Sequence, residues 1–139
     1  MRVGRFRRMF GPMLSLAFLL AAQFAADALP TGTYSGTCLY PQAVEERAAP
    51  GELVSCNEVH ISDGQISFGQ RGWQSRTQFN GIFEGSRMTV SSVTLPNGRT
   101  YEVRGVCEIY FANEEVSTVA CTANSNRGSM AANFVVSRL

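Results

Sequence analysis

The sequence predicts an all-β domain: a small antiparallel meander of about eight strands that closes into an up-and-down barrel. A two-sheet β-sandwich is the alternative. Apolar residues alternate with polar ones at a period of two, and glycine or asparagine interrupts the alternation every eight to twelve residues. No stretch after the N-terminal segment has a sustained helical period. Consecutive hairpins of this kind form a meander, and about eight strands can close into a barrel.

The first 28 residues have the three parts of a cleaved secretory signal. A head with four arginines precedes the apolar run 13–22, and Ala26-Asp27-Ala28 supplies small side chains for a peptidase. The run is too short to remain in a bilayer as a stable anchor. We therefore expect export, cleavage after Ala28, and one all-β domain over 29–139 that is periplasmic or secreted in a bacterium. The adjacent Arg7 and Arg8 also fit a twin-arginine signal, so the export route stays open.

Charge argues against a nucleic-acid partner. Removing residues 1–28 takes away four arginines and one aspartate, which leaves eight arginines against ten acidic residues and no lysine. No basic stripe remains that could follow a phosphate backbone. We expect a monomer that binds neither nucleic acid nor a cofactor.

Four cysteines lie after the signal, at Cys38, Cys56, Cys107 and Cys121. An even number in a small exported domain predicts two disulfides, with three pairings open. The close cysteine pairs of metal sites are missing from the sequence, so we predict no metal.

The turns set the register of the strands. Asp63-Gly64 favours a two-residue hairpin that places Ile61 opposite Ile66 and Val59 opposite Phe68. In the same way, Gly85-Ser86 places Phe83 opposite Met88, and Pro96-Asn97-Gly98 places Val93 opposite Tyr101. Because Met88 and Val90 are out of phase with Val93 and Leu95, a bulge is expected at Ser91-Ser92. The remaining strands are predicted at 33–40, 101–111, 116–122 and 130–138, and the segment 41–51 is predicted as a solvated loop.

A register argument selects the disulfide pairing. A three-residue turn at 113–115 sets Ala112 opposite Val116, and the same register sets Cys107 opposite Cys121. Cys38 then pairs with Cys56 by elimination, provided that Cys56 lies in an irregular strand start. Cys38–Cys121 is the rival, because the first and last strands adjoin in a closed barrel.

Alternation also predicts the core. The residues expected to be buried are Val59, Ile61, Ile66, Phe68, Phe83, Val103, Ile109, Phe111, Val119, Phe134 and Val136.

Catalytic residues are not indicated. The single histidine, His60, is predicted on the solvent face with Ser67, and Glu58 is on the same face, but no serine lies in a nucleophile elbow. The carboxylate pairs at 45–46 and 114–115 lie in predicted loops and do not face each other across a cleft. We predict that His60, Glu58 and Ser67 are dispensable.

Trp73 is the only tryptophan, in a glycine-rich connection with Arg71 and Arg76. Tryptophan and arginine are enriched at binding hot spots, so these three residues are candidate contact residues. The alternative is that Trp73 closes the open end of the barrel. An interior cavity is a further candidate site, which would be lined by Tyr34, Tyr40, Tyr101 and Phe79.

A resemblance arises at the first strand, where Gly32, Tyr34, Gly36 and Cys38 follow one another at alternate positions. This order resembles the start of small exported bacterial β-barrel domains, which are similar in architecture to calycins and lipocalins and include periplasmic inhibitors of secreted metalloproteases. The glycines would let the first strand bend sharply. The resemblance covers about seven residues plus strand number and length. The chain departs from the inhibitor pattern by having four cysteines instead of one disulfide, and by a short arm, 29–31; no inhibitory residue is carried over.

Together these observations predict a non-enzymatic, disulfide-cross-linked barrel that binds a small apolar molecule or a partner protein. The alternative is a periplasmic inhibitor of a secreted protease, and a third hypothesis is a hydrolase whose site the sequence does not reveal. An empty interior of several hundred Å³ would favour small-molecule binding, and a packed interior would favour a surface binder.

Overall fold

The computed structural model describes residues 29–138 as eight strands and one short helix. The elements are β1 Gly32–Cys38, α1 Gln42–Arg47, β2 Glu58–Ser62, β3 Gln65–Gly69, β4 Thr77–Glu84, β5 Arg87–Thr94, β6 Thr100–Ala112, β7 Glu115–Ser125 and β8 Gly128–Val136. Every strand pairs antiparallel with the next, and β1 pairs with β8, so the sheet is a closed barrel. The barrel prediction is confirmed over the sandwich. The predicted signal, residues 1–28, lies outside the described residues.

Three predicted hairpin registers are confirmed. Ile61 pairs with Ile66, and Gly64 takes the positive φ of 78° that the tight turn requires. Phe83 pairs with Met88, and Val93 pairs with Tyr101. The predicted bulge is also confirmed, because the β5–β6 register shifts between Val90 and Ser92.

The β6–β7 turn differs from its prediction. It has two residues, Asn113 and Glu114, both with positive φ, so Ala112 pairs with Glu115 and not with Val116. A register shift between Tyr110 and Phe111 then adds the missing residue on β7. The prediction placed one extra residue in the turn, whereas the chain places it in a bulge. From the bulge toward Cys107 and Cys121, the observed β6–β7 register is the predicted one.

Both predicted disulfides are present. Cys107 pairs with Cys121 across β6 and β7, and Cys38 bonds to Cys56 just before β2. The rival Cys38–Cys121 pairing is not formed. Cys56 precedes the regular part of β2, as expected for an irregular strand start, and its side chain is buried.

Segment 41–51 contains helix α1, which the sequence analysis predicted as loop. Backbone N–H groups of Val44 and Glu45 donate to the Pro41 carbonyl, and the Gln42 side chain donates to Glu46 at 3.1 Å. No residue of α1 is buried. The helix is short and all its residues are exposed. It therefore has no apolar face whose period could have predicted it from the sequence.

The barrel interior contains most of the predicted core. Phe68 and Phe79 meet edge to face with ring centroids 5.6 Å apart. The predicted core residues that are buried are Val59, Ile61, Ile66, Phe68, Ile109, Val119 and Phe134, while Phe83, Val103 and Val136 are half-buried against them.

Phe111 is the core residue that was predicted wrongly, because its side chain is 47% exposed. The β5–β6 ladder begins at Arg87–Glu108, and the β7–β8 ladder ends at Thr118–Val135. The β6–β7 hairpin therefore projects beyond both neighbouring strands. Phe111 follows the inward alternation, but no adjacent strand covers it there.

A glycine is required at position 36 of the first strand. A Cβ atom on Gly36 would lie 2.0 Å from the Val135 carbonyl oxygen of β8. Only glycine allows the backbones of β1 and β8 to approach this closely where the barrel closes.

The meander gives the barrel two different ends. The β1–β2, β3–β4, β5–β6 and β7–β8 connections lie at one end, which we call the loop end. The turns of β2–β3, β4–β5 and β6–β7 lie at the other, which we call the turn end, together with the start of β1 and the end of β8.

Candidate functional site

A cavity of about 370 Å³ opens at the loop end of the barrel, and we call it the mouth cavity. Its apolar wall comes from the inner face of β5–β8 and the residue after β5: Val93, Leu95, Tyr101, Val103, Ala123 and Met130. Residues 49–52 also line the cavity, and the β7–β8 turn forms part of the rim. A volume of roughly 300–1,000 Å³ is usual for small-molecule pockets.

Side-chain size explains why the cavity lies at this end. On the loop-end side of the packed core, several inward residues of β6–β8 are small: Gly105 pairs with Ala123, and Ala132 pairs with Cys121. Toward the turn end the corresponding positions hold Ile109, Val119 and Phe134, which fill the barrel. The empty space is thus a property of the sequence of these strands.

The segment that covers the cavity is fixed to the barrel. Leu53 forms a parallel bridge with Ala131 at the edge of β8, where β1 no longer pairs. The Tyr40 hydroxyl donates to the Val54 carbonyl at 2.5 Å, and burial raises the pKa of this phenol. The Cys38–Cys56 disulfide closes the same segment covalently. The cavity wall is therefore held in place before any ligand enters.

Arg127 provides the cation at the rim of the mouth cavity. It lies in the β7–β8 turn, and its guanidinium carbon is 4.8 Å from the centroid of the Tyr101 ring. Such stacking is a cation–π contact. Glu52 is the carboxylate that lines the cavity on the side of the covering segment, where it accepts the Ala49 N–H at 2.9 Å.

The turn end has a larger but more open hollow of about 690 Å³. Phe111, Tyr34 and Val136 contribute apolar surface, while Glu114 and the Glu115–Arg138 ion pair, 3.3 Å long, line it with charge. Its walls include the residues that flank the barrel strands, among them Pro30 and Ser137. We regard the mouth cavity as the better ligand site because barrel strands and a cross-linked segment form its walls.

Trp73 lies in the β3–β4 connection and is 67% exposed, so it does not close the barrel as the alternative predicted. A groove of about 470 Å³ runs beside it, lined by Arg71, Arg76 and Pro96 among others. Arg71 is held by its side-chain bond to Ser35 at 3.3 Å and by its backbone N–H, which donates to Asn57 at 2.7 Å. The structure thus brings Trp73, Arg71 and Arg76 to one groove.

Arg76 differs from Arg71 because its side chain is only 10% exposed. It lies flat on the outer face of β2 and β3, where its guanidinium contacts the Glu58 carboxylate at 3.2 Å and the Ser67 hydroxyl at 3.1 Å. A Cβ on Gly69 would lie 3.1 Å from the Arg76 side chain. Arg76 therefore occupies space that the glycine leaves open, and it has a clear packing role.

Ser67 was predicted to face solvent, and this is wrong: it is 4% exposed. It does lie on the outer face opposite His60, as the register predicted, but Arg76 covers it. The long side chain comes from the β3–β4 connection, so strand alternation could not reveal the cover.

His60, Glu58 and Thr33 form a hydrogen-bonded row across β1 and β2. His60 Nε2 donates to Glu58 at 3.0 Å, so in the neutral ring Nδ1 accepts from the Thr33 hydroxyl, also at 3.0 Å. The hydrogen bond from His60, together with the positive charges of His60 and Arg76, lowers the pKa of Glu58.

The order hydroxyl, imidazole and carboxylate matches the connectivity of a catalytic triad, but its setting differs. His60 and Thr33 are exposed on a sheet surface, and none of the described cavities contains either residue. Acyl-transfer sites also need donors aimed at a developing oxyanion, whereas His60 lies within a strand that pairs on both sides, with Thr33 of β1 and Ser67 of β3. The row is better suited to joining two strands.

The predicted cavity aromatics lie in different places. Tyr101 lines the mouth cavity, Tyr34 lines the turn-end hollow, Phe79 is in the core, and Tyr40 fixes the covering segment. Arg127 was not among the candidate residues, because it lies between the strands predicted at 116–122 and 130–138. The only signal in the sequence was that Arg127 lies three residues before the inward residue Met130, close to a two-residue turn. That signal indicates a site only once the cavity beside Met130 is known.

No protein-family model, curated protein or solved structure matches this chain. Within residues 29–138, no helix has the length and apolar character needed to cross a membrane. Over the same range, no three His, Cys, Asp or Glu side chains are grouped so that they could hold a metal ion.

Proposed function

We propose that the protein is an exported, non-enzymatic binding protein that takes a small apolar molecule into the mouth cavity. The observation that carries this proposal is the mouth cavity itself, whose wall is apolar and whose cover is cross-linked. Binding to a preformed cavity avoids the cost of ordering loops at the moment of association.

Export is supported by the two disulfides, which fit an oxidising compartment. We infer that residues 1–28 are removed as a signal. N-terminal sequencing of the protein recovered from the periplasm or medium should begin at Leu29. A retained N-terminus would contradict cleavage after Ala28.

A neutral fluorescent probe tests ligand binding. N-phenyl-1-naphthylamine should bind saturably with a rise in fluorescence, and decan-1-ol should displace it. Ala123→Leu, which adds a side chain to the cavity wall, should abolish the rise. Ala120→Leu is the matched control, because Ala120 is on the same strand but faces outward and is half-buried. Equal probe binding by the two variants, or none by the wild type, would contradict the proposal.

A partner protein is the second candidate, and exposed Trp73 beside Arg71 is the observation that favours it. The protease-inhibitor hypothesis belongs to this class. A panel of secreted proteases tests it: sub-micromolar inhibition that Trp73→Ala removes would support inhibition, and no inhibition would favour the cavity ligand.

The non-enzymatic part of the proposal is tested on the outer row. Ester hydrolysis by wild type and by Thr33→Val and His60→Ala should stay at the rate of buffer alone. Turnover that either variant abolishes would establish a hydrolase.

A further inference from the structure

We propose that the ligand of the mouth cavity is an amphiphile with an anionic head group, which the Arg127 guanidinium binds at the rim. This inference rests on the proposed function, since it names the chemical class of ligand for the same cavity.

Arg127 is placed at the boundary between solvent and the apolar wall. Tyr101 pairs with Val93 on the inner face of the barrel, and both side chains line the cavity. The guanidinium lies over the Tyr101 ring at 4.8 Å. A tail in contact with Val93 and Tyr101 would therefore bring its head group to the guanidinium.

Within the described part of the chain, no acceptor binds the side-chain N–H groups of Arg127. Among residues 29–138, Arg76, Arg87 and Arg138 pair with carboxylates, whereas Arg127 forms no ion pair. Within that range, the only hydrogen bond donated by Arg127 comes from its backbone N–H, to Ser125 at 3.1 Å. A guanidinium with free donors in a planar fork suits a carboxylate or a phosphate ester, which accepts two of them at once.

Glu52 is the other charged residue, besides Arg127, that lines the cavity. No ion pair joins the two residues, and one Glu52 oxygen accepts the Ala49 N–H at 2.9 Å. This carboxylate therefore supports the turn of the covering segment. An anionic head group would be attracted to Arg127 and repelled by Glu52, so its expected position is at the Arg127 guanidinium.

A matched pair of ligands separates the head group from the tail. Decanoate and decan-1-ol have tails of equal length and differ in charge at neutral pH. Their affinities are measured by displacement of N-phenyl-1-naphthylamine from wild type, Arg127→Gln and Arg99→Gln. Arg99 is the control, because it is an exposed arginine in the β5–β6 connection at the same end but does not line the cavity.

We expect Arg127→Gln to weaken decanoate about tenfold, which is the scale of one charge-assisted hydrogen bond. Decan-1-ol should be unaffected, and Arg99→Gln should change neither ligand. Added salt should weaken decanoate binding to the wild type more than to Arg127→Gln.

The outcomes distinguish the two proposals. If both ligands bind and Arg127→Gln changes neither, or changes both equally, the head-group inference is overturned while the cavity remains a binding site. If neither ligand displaces the probe from the wild type, the proposed function fails and the inference fails with it. Thermal unfolding of both variants shows whether a loss of affinity is a loss of fold.

Discussion

The two ends of this barrel are built from the same strands and differ in both connections and side chains. At the turn end, two-residue turns join strands whose inward positions hold Ile109, Val119 and Phe134. At the loop end, three of the four connections are longer and only the β7–β8 turn has two residues, and the inner face there includes Gly105 and Ala123. The difference shows how one ladder can provide a packed core and an open site, since both the connections and the side chains of the inner face change along it.

The largest loss of stability is expected from a substitution in the packed half of the barrel, at the turn end. Phe134→Ala should lower the free energy of unfolding by about 3–5 kcal/mol, because a fully buried ring is replaced by a void. Phe111→Ala, which truncates a ring of the same size at the projecting hairpin, should cost less than about 1 kcal/mol. Urea unfolding measures both. Similar losses would mean that Phe111 is covered in solution.

Removing the Cys38–Cys56 disulfide should have the next largest effect. Its sequence separation is 18 residues, and the chain-entropy model gives a stabilisation of about 3 kcal/mol for such a loop. The double variant to alanine should unfold at lower denaturant and bind the neutral probe more weakly. The Cys107→Ala/Cys121→Ala variant is the comparison, because its disulfide joins two adjacent strands and not the covering segment. A larger loss of probe affinity in that second variant would contradict the role given to Cys38–Cys56.

A smaller effect is expected where Tyr40 fixes the covering segment. Tyr40→Phe removes the hydroxyl that bonds to the Val54 carbonyl and should cost about 1–2 kcal/mol. Tyr110→Phe, at an exposed position, is the control and should be neutral. Calorimetry measures the unfolding free energy of both variants. If Tyr40→Phe is as stable as the wild type, the hydrogen bond adds no net stability.

The smallest effect concerns pH and lies away from both ends. Because the pKa of Glu58 is lowered in the folded protein, its ionised form contributes stability above the unfolded pKa of roughly 4.3. That contribution is lost as the pH falls through the lower folded pKa. Wild type should therefore be more stable than Glu58→Gln at neutral pH, and the two should converge in acid. Parallel stability curves from pH about 7 to about 2 would contradict this.

Much of the fold could be predicted because local turn chemistry and alternation decide it. Asp63-Gly64 fixed a register that the β2–β3 ladder confirms. Phe111 and Ser67 were predicted wrongly because their exposure depends on strand lengths and on Arg76, which are non-local. The pairing of Cys107 with Cys121 was predicted correctly although the turn length was not. The turn is one residue shorter than predicted, and the bulge on β7 adds that residue back.

The candidate site was less predictable than the fold. Trp73 and Arg71 stand out by residue type alone, and the structure does place them on a groove. The mouth cavity depends on side chains from four strands becoming neighbours, together with residues 49–52 of the β1–β2 connection. No single stretch of sequence contains that juxtaposition.

The most direct test is to map where an apolar ligand binds by amide chemical shifts, using decan-1-ol on the isotope-labelled protein. We expect the largest changes at Val93, Val103 and Ala123, at the loop end, and little change at Glu114 and Val136, which line the turn-end hollow. Changes concentrated at the turn end, or around Trp73 alone, would contradict the assignment of the mouth cavity as the binding site.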